Sequence, residues 1–440
     1  MSPAAPTPLN APAAVNAPAA PTAPGTHYPL WESLLPAAEQ GRIERCAVGA
    51  KGSRLRFADA SEVLDATSGL WNVNIGYGNA AIADAIAQAC RDASYLNLFR
   101  YSHTYALQAA RDLVNAAGPE AYRRVVFATS GGSANDLAMK LARQYAVLRG
   151  QPERRLVVGL KGSYHGLTYG AHSLTGEALG QQMYGVDLRN VRHVDPSSPD
   201  ELERFMKRHG SQVASLVCEP VLGSGVHPLS AEFVDAVLKL RREYGFLLVA
   251  DEVATGFGRT GPLFASSAWA ESPDLLLTSK GLTNGTCAAS AVLVSHAIAE
   301  AFERHDTVLM HAETQAGTPA SCAAITTTLE QFAELDVLAA SARTAERLDT
   351  LLAELTERIP AVHSTSGVGC FRAVHLRDAD GDRFDGQAVQ DVIAAVRDHG
   401  ALVYPGPGCV QLVPMLTSSE QDLDDLAHAL LRGLAAVGRR

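Results

Sequence analysis

The chain has no CxxC pair, no run of lysines and arginines, and no uninterrupted apolar stretch of transmembrane length. Each absence excludes something. The seven cysteines, Cys46, Cys90, Cys218, Cys287, Cys322, Cys370 and Cys409, are scattered and odd in number. That pattern speaks against a disulfide framework and against a zinc site, and it fits small buried side chains in a reducing cytosol. The cytoplasm is the compartment expected. The histidines, His103, His165 and His311 among them, show no HxH or HxxxH spacing, so no metal is expected. A formal net charge of −10 gives no general attraction for nucleic acid or an anionic membrane, and neither is expected as a partner. No internal repeat is evident.

Charge is also missing from the start of the chain. Residues 1–26 are dominated by Ala and Pro and carry no charged side chain. Without a basic leader or a continuous apolar core they make a poor signal peptide and cannot span a membrane. Frequent prolines forbid a helix there, so this stretch reads as a solvated tail.

What is present is ample apolar material. Of 440 residues, 47% are hydrophobic, enough for one large domain and a smaller one. From Tyr28 to Leu64 the pattern reads as a short helix and a small hairpin of two strands, broken at Gly49 and Gly52. "AAIADAIAQAC" has helical spacing at Ile82, Ala85, Ile86 and Ala89. From Arg123 to about Ala320, short apolar runs alternate with amphipathic helices: "RRVVFAT", "RLVVGL", "SLVCEPV", "FLLVADEV", "LLLTSK" and "SAVLVS". Such alternation predicts an α/β fold with a mostly parallel sheet covered on both faces. From about Thr326 a long helix, further strands and a final helix predict a smaller α+β domain shared with the N-terminal piece. The expected division is a tail over 1–26, small-domain parts over 27–70 and 326–440, and a large domain over 71–325.

Ligands of α/β sheets gather at the carboxyl ends of strands, so the residues after each strand carry the chemistry. After "VVFAT" comes "SGGSAND". Gly131 and Gly132 let backbone approach a phosphate at a helix N-terminus, or they serve a turn beside a cap at Ser133. After "LVVGL", Tyr164 can stack on a flat ring or lie in the rim. After "FLLVA", Asp251 needs something positive. A protonated pyridine nitrogen would serve, and so would Arg259 or another base. After "DLLLT", Lys280 is either a solvated lysine or an amine whose pKa burial lowers toward Schiff-base chemistry. In this order they supply a phosphate site, a ring stack, a pyridinium partner and an aldehyde anchor. Those are the parts that pyridoxal 5'-phosphate (PLP) requires.

The sequence resembles the class III, or omega-type, aminotransferases of PLP fold type I, from Tyr28 to the C-terminus. The most specific stretch is "LLVADEVATGFGRTG…PDLLLTSKGLTNG". "SGLWNVNIGYGN", "SGGSANDLAMKLAR", "GSYHG", "CEPV" and "ETQAGTPASCAA" match in order. The resemblance implies a seven-stranded type of large sheet. It further implies that Lys280 forms the Schiff base and shuttles the proton, and that Asp251 pairs with the pyridine nitrogen. Val253 would pack under the ring opposite Tyr164, and Gly131 and Gly132 would hold the phosphate. Thr314 would reach the phosphate of a neighbouring subunit, making the active unit a homodimer. Trp71 and Glu219 would line the substrate pocket.

The chain departs from the family in three places. It has Ser133 where Glu is usual, and Gly132 where Ser or Thr is usual. Tyr404 stands where members using α-carboxylate substrates commonly carry Arg, and Tyr cannot replace a bidentate Arg–carboxylate pair. The expected substrates are amine and keto compounds without an adjacent carboxylate: ω-amino acids, diamines, or amines of natural-product and modified-peptide pathways. Arg100 is the cation nominated for the carboxylate of the second substrate. An aminomutase, racemase or decarboxylase on the same scaffold is the alternative, and a PLP-fold protein without catalysis a remoter one. "GYGNAA" at Gly76–Ala81 imitates a dinucleotide fingerprint, but no acidic residue follows in a second strand.

Overall fold

The computed structural model describes residues 28–437, and the Ala/Pro-rich stretch lies outside them. The chain begins with strands β1 (Ala47–Lys51), β2 (Arg54–Phe57) and β3 (Glu62–Asp65), joined antiparallel. Two strands were expected here and three are found. Gly49 does not break β1. It lies within it beside a register shift, where a Cβ would come within 3.2 Å of the Arg56 guanidinium. A bulge of this kind absorbs the irregularity that reads as a break in sequence.

A single turn, α1 (Ser68–Trp71), follows. It winds left-handed, with φ of 47° at Ser68, 54° at Gly69, 65° at Leu70 and 62° at Trp71. For residues other than glycine this costs roughly 1–2 kcal/mol each, so other contacts must hold it. Buried Asp65 does so. Its Oδ1 accepts from the backbone N–H and hydroxyl of Thr67, at 2.8 and 2.6 Å. Its Oδ2 accepts from Gly69 N and the Tyr77 hydroxyl, both at 2.7 Å.

Helices α2 (Ala80–Asp92) and α3 (Thr104–Ala117) lead to the central sheet. Its strands, separated by helices, are β4 (Tyr122–Ala128), β5 (Leu156–Leu160), β6 (Val191–Val194), β7 (Val213–Cys218), β10 (Leu247–Asp251), β11 (Leu275–Thr278) and β12 (Ser290–Ser295); β8 (Val221–Leu222) and β9 (His227–Pro228) form a small hairpin after β7. The spatial order is β4-β12-β11-β10-β7-β5-β6, and only β12 runs antiparallel to its neighbours.

Both faces are covered because successive side chains point opposite ways. Val157, Val217, Val249 and Leu275 pack beneath α4 (Gly131–Leu148), whose buried Ala134, Leu137, Ala138, Leu141 and Ala142 follow helical spacing. A short helix, α5 (Tyr169–Leu174), follows β5. Leu156, Val158, Leu160, Leu216 and Leu248 face α6 (Pro199–His209) and α7 (Ala231–Tyr244) instead. Each such aliphatic side chain, fully buried, contributes about 1.5–3 kcal/mol.

After α8 (His296–Arg304), helix α9 (Pro319–Glu334) packs on α2 and α3, and α10 (Val337–Arg358) leads out of the large sheet. The boundary read at 325/326 therefore falls inside α9, and that at 70/71 inside α1. A second small sheet orders β13 (Val362–Val368), β14 (Phe371–Leu376), β17 (Cys409–Leu412) and β16 (Tyr404–Gly406). Helices α11 (Gly386–Asp398) and α12 (Glu420–Val437) pack together beside it. Strand β15 (Ala401–Leu402) joins the N-terminal sheet parallel to β3, with Ala401 opposite Leu64, so the two chain ends share one sheet. Among the described residues, no helix is long and apolar enough to cross a membrane, and no group of three or more His, Cys, Asp or Glu is placed to hold a metal.

Candidate active site

Strands β7, β10 and β11 are parallel neighbours, so their carboxyl ends bring Glu219, Asp251 and Lys280 to one edge of the sheet. Asp251 is 3% exposed. It is not paired with Arg259. Its Oδ2 accepts from His165 Nδ1 and from Asn135 Nδ2, each at 2.7 Å. Its Oδ1 receives, among the described residues, only the Val253 backbone N–H at 3.1 Å. A second donor on Oδ1 is therefore accommodated. Burial alone would lower the His165 pKa, but the hydrogen bond and charge of Asp251, with Glu219 adding, raise it above its ordinary value. Asp251 thus faces an imidazole biased toward its protonated form.

Lys280 follows β11 at φ 47°. Burial pushes its ammonium below the ordinary lysine value, Asp251 and Glu219 pull it back, and the charge of Arg259 lowers it further. A lowered pKa supplies the neutral amine that carbonyl chemistry needs. Its Nζ lies 4.8 Å from the ring centroid of Trp71, and Tyr404 packs edge-on to the same ring with centroids 4.8 Å apart. The buried Trp71 indole N–H has no partner among the described residues. Glu219 accepts Tyr164 N at 3.0 Å and Gly223 N at 3.1 Å. Burial raises its carboxyl to about 7 despite lowering by His165 and those two backbone donors, with Asp251 adding to the rise.

The helix N-terminus differs from expectation in one detail. Ser130, not Ser133, is the cap, its Oγ accepting from Ser133 N at 3.2 Å. Gly131 and Gly132 therefore form the first turn of α4 itself, where N–H groups lack intrahelical partners. A Cβ at Gly131 would come within 3.0 Å of Val253, and one at Gly132 within 3.1 Å of Thr168 Oγ1. A side chain at either position would crowd its neighbour, so glycine brings the backbone N–H groups closest to a bound anion. Val253 packs against this turn, next to Asp251.

Two predicted residues lie apart from this group. Arg100 is exposed and makes no ion pair with Glu219 or Asp251. Thr314 is exposed too, and its carbonyl accepts from the Tyr95 hydroxyl at 2.7 Å. The segment around Arg100 carries exposed apolar side chains, Tyr95, Leu98, Phe99 and Tyr101, and Tyr95 reaches Thr314.

Sequence reasoning overlooked His165, Asn135 and Glu313 as site residues, and it offered Arg259 only as a partner for Asp251. His165 and Asn135 lie within "GSYHG" and "SGGSAND", yet nothing local marks them as ligands of Asp251. Arg259 is fully buried. It donates to the carbonyls of Cys370 and Pro414, to Ser68 Oγ and to Asn74 Oδ1. Burial lowers its pKa to about 10. Glu313 accepts from Thr129 and Ser133 near the α4 N-terminus, from a loop no spacing connects to it.

A glycine-lined helix N-terminus, an acid with a free acceptor and an amine of lowered pKa fit a phosphorylated pyridine aldehyde. Comparison with known proteins agrees. Residues 36–434 match the family described as aminotransferase class III. An omega-aminotransferase of Caulobacter vibrioides is 29% identical over 430 residues, spanning 92% of this chain and 97% of that protein. A putrescine–pyruvate aminotransferase of Pseudomonas aeruginosa is 29% identical over 371 residues, 80% of each. An amine transaminase from an uncultivated Pseudomonas species, solved with PLP, superposes with a TM-score of 0.88 at 28% identity, covering 94% of this chain and all of that one. The chain belongs to the class III aminotransferases, enzymes of PLP fold type I, and its cofactor is pyridoxal 5'-phosphate.

Proposed function

We propose that this aminotransferase takes its amino group from, or gives it to, a compound with no carboxylate next to the reacting carbon. The observation that carries this is the Trp71–Tyr404 pair beside Lys280. The positive charge that bears on Lys280 is Arg259, whose guanidinium is spent on Cys370, Pro414, Ser68 and Asn74. A substrate α-carboxylate entering here would be buried without a cation, at a cost of several kcal/mol. The names of relatives point the same way, being an omega-aminotransferase and a putrescine–pyruvate enzyme.

Bound PLP supplies the electron sink for moving an amino group between carbon skeletons. Lys280 is the residue to carry the cofactor and to move the substrate proton on its Nζ. Asp251 would hold the ring nitrogen, Val253 and Tyr164 the ring faces, and Gly131 and Gly132 the phosphate. Thr314 and Arg100 are assigned to the site of a second copy. The apolar surface around them is the face on which a homodimer would form, bringing the phosphate a further contact and the acceptor a cation.

The test is a single-turnover absorbance measurement with a matched pair, an aliphatic primary amine and the α-amino acid of equal chain length. The amine should react faster. Faster reaction of the α-amino acid would overturn the reading.

A further inference from the structure

A further acid stands at the turn between β4 and α4. Strand β4 ends at Ala128, and Thr129 and Ser130 lead directly into the helix. Ser130 Oγ accepts from Ser133 N, and the Ser130 carbonyl accepts from Ala134 N at 2.9 Å. The N–H groups of Gly131 and Gly132 are the ones left to meet an anion. Glu313 reaches this turn from the segment between α8 and α9. Its Oε2 accepts from the Thr129 backbone N–H at 3.2 Å, from the Thr129 hydroxyl, and from the Ser133 hydroxyl at 3.3 Å. The carboxylate therefore bonds the residue before the cap and the third residue of the helix, and so brackets the two glycines.

With three donors on it, Oε2 acts as an acceptor only, as the oxygen of an ionised carboxylate does. Oε1 is buried and makes no hydrogen bond among the described residues. The group facing it is His311 Nε2, 3.6 Å away and likewise without a hydrogen bond. Among the described residues no lysine or arginine forms an ion pair with Glu313. The hydroxyls of Thr129 and Ser133 are turned to this carboxylate, and Gly132 has no hydroxyl to offer in their place. Two anions at one helix N-terminus repel each other and draw on the same free N–H groups.

We infer that Glu313 is an internal anion that competes with the cofactor phosphate for the N-terminus of α4 and weakens the hold of the chain on PLP. This inference rests on the assignment of the phosphate to Gly131 and Gly132 made above. Glu313 withholds two hydroxyl donors from the phosphate and sets a negative charge beside it. When the phosphate leaves, the carboxylate still complements the helix N-terminus, so the vacated turn costs less. The cofactor is thereby kept exchangeable. The effect is confined to the phosphate, because the hydrogen bonds of Glu313 go to Thr129 and Ser133 and none goes to Asp251 or Lys280.

The experiment titrates the full-length protein, freed of cofactor, with PLP and with pyridoxal, which lacks the phosphate. The ratio of the two dissociation constants is read, because a loss of folded protein or a loosened loop bears on both ligands alike. Glu313→Gln keeps the shape and an acceptor oxygen but removes the charge. It should tighten PLP about tenfold and leave pyridoxal unchanged. Glu313→Ala, which also frees the Thr129 and Ser133 hydroxyls, should tighten PLP at least as far. Gly132→Asp sets a carboxylate within the turn itself and should weaken PLP without weakening pyridoxal. An unchanged or lowered preference for PLP in the Glu313 variants, with the loss in Gly132→Asp present, overturns the inference and leaves the phosphate assignment standing. A wild-type ratio in Gly132→Asp shows that the phosphate lies elsewhere, and the inference then falls with the assignment.

Discussion

Lys280 Nζ lies 4.8 Å from the ring centroid of Trp71, and both residues occupy left-handed backbone, at φ 47° and 62°. Neither is a glycine, so each conformation costs about 1–3 kcal/mol and persists only where surrounding contacts over-determine it. On the Trp71 side those contacts are Asp65 and Ser68. Ser68 Oγ donates to the Val413 carbonyl at 2.6 Å and accepts from Arg259 at 3.2 Å. Arg259 thus ties the left-handed turn to the β14–β17 sheet through Cys370 and Pro414.

Arg259→Met should consequently unfasten the turn as well as lose a buried network. The expected loss of stability is about 3–5 kcal/mol, because several buried neutral acceptors lose a charged donor at once. Denaturant unfolding of the PLP-loaded protein measures it. A loss below about 1 kcal/mol would show that the turn holds without the guanidinium.

The mostly parallel sheet and the strand-end positions of Asp251 and Lys280 were legible because period and hydrophobicity announce them. Five apolar residues before Asp251 and the three leucines 275–277 ahead of Lys280 mark buried parallel strands, and chemistry follows at their ends. The left-handed turn was not legible, since Leu70 and Trp71 have no local preference for positive φ. What imposes it is Asp65, together with Ser68 and its partners on strands far away in sequence. Strand β15 was missed for the same reason. Two residues, Ala401 and Leu402, become a strand only because β3 lies beside them. His165 gained meaning only when folding brought it to Asp251.

Asp251→Asn keeps the shape of the side chain and removes its charge. The amide carbonyl can still accept from His165 and Asn135, but the amide N–H₂ then faces Val253 N–H and any donor brought to Oδ1. Turnover should fall by about two orders of magnitude or more, as on losing one preorganised electrostatic contact. His165 should also titrate at a lower pH, readable by NMR of its ring protons. A rate near wild type would refute the role given to Asp251.

Glu219 sets a pH dependence of stability. Its folded carboxyl is raised from an ordinary 4.5 to about 7. The folded state therefore binds the proton more tightly than the unfolded chain. Its contribution is fully present below about pH 4.5 and is lost as pH rises through about 7. Glu219→Gln should remove this slope. Poorer hydrogen bonding to Tyr164 N and Gly223 N adds an offset that does not vary with pH. Melting temperatures across that window should thus converge on, or cross, those of the wild type as pH rises. Parallel curves for the two proteins would mean that Glu219 stays ionised throughout.

Tyr404→Arg tests the substrate reading from the opposite direction. Tyr404 begins β16, in register with Gln411, and its ring lies against Trp71. An Arg placed there offers its fork to a carboxylate beside the reacting carbon. The ratio of kcat/KM for an α-amino acid to that for the matched amine should rise about tenfold or more. No rise with Tyr404→Arg would mean that the Tyr is not what excludes the α-carboxylate.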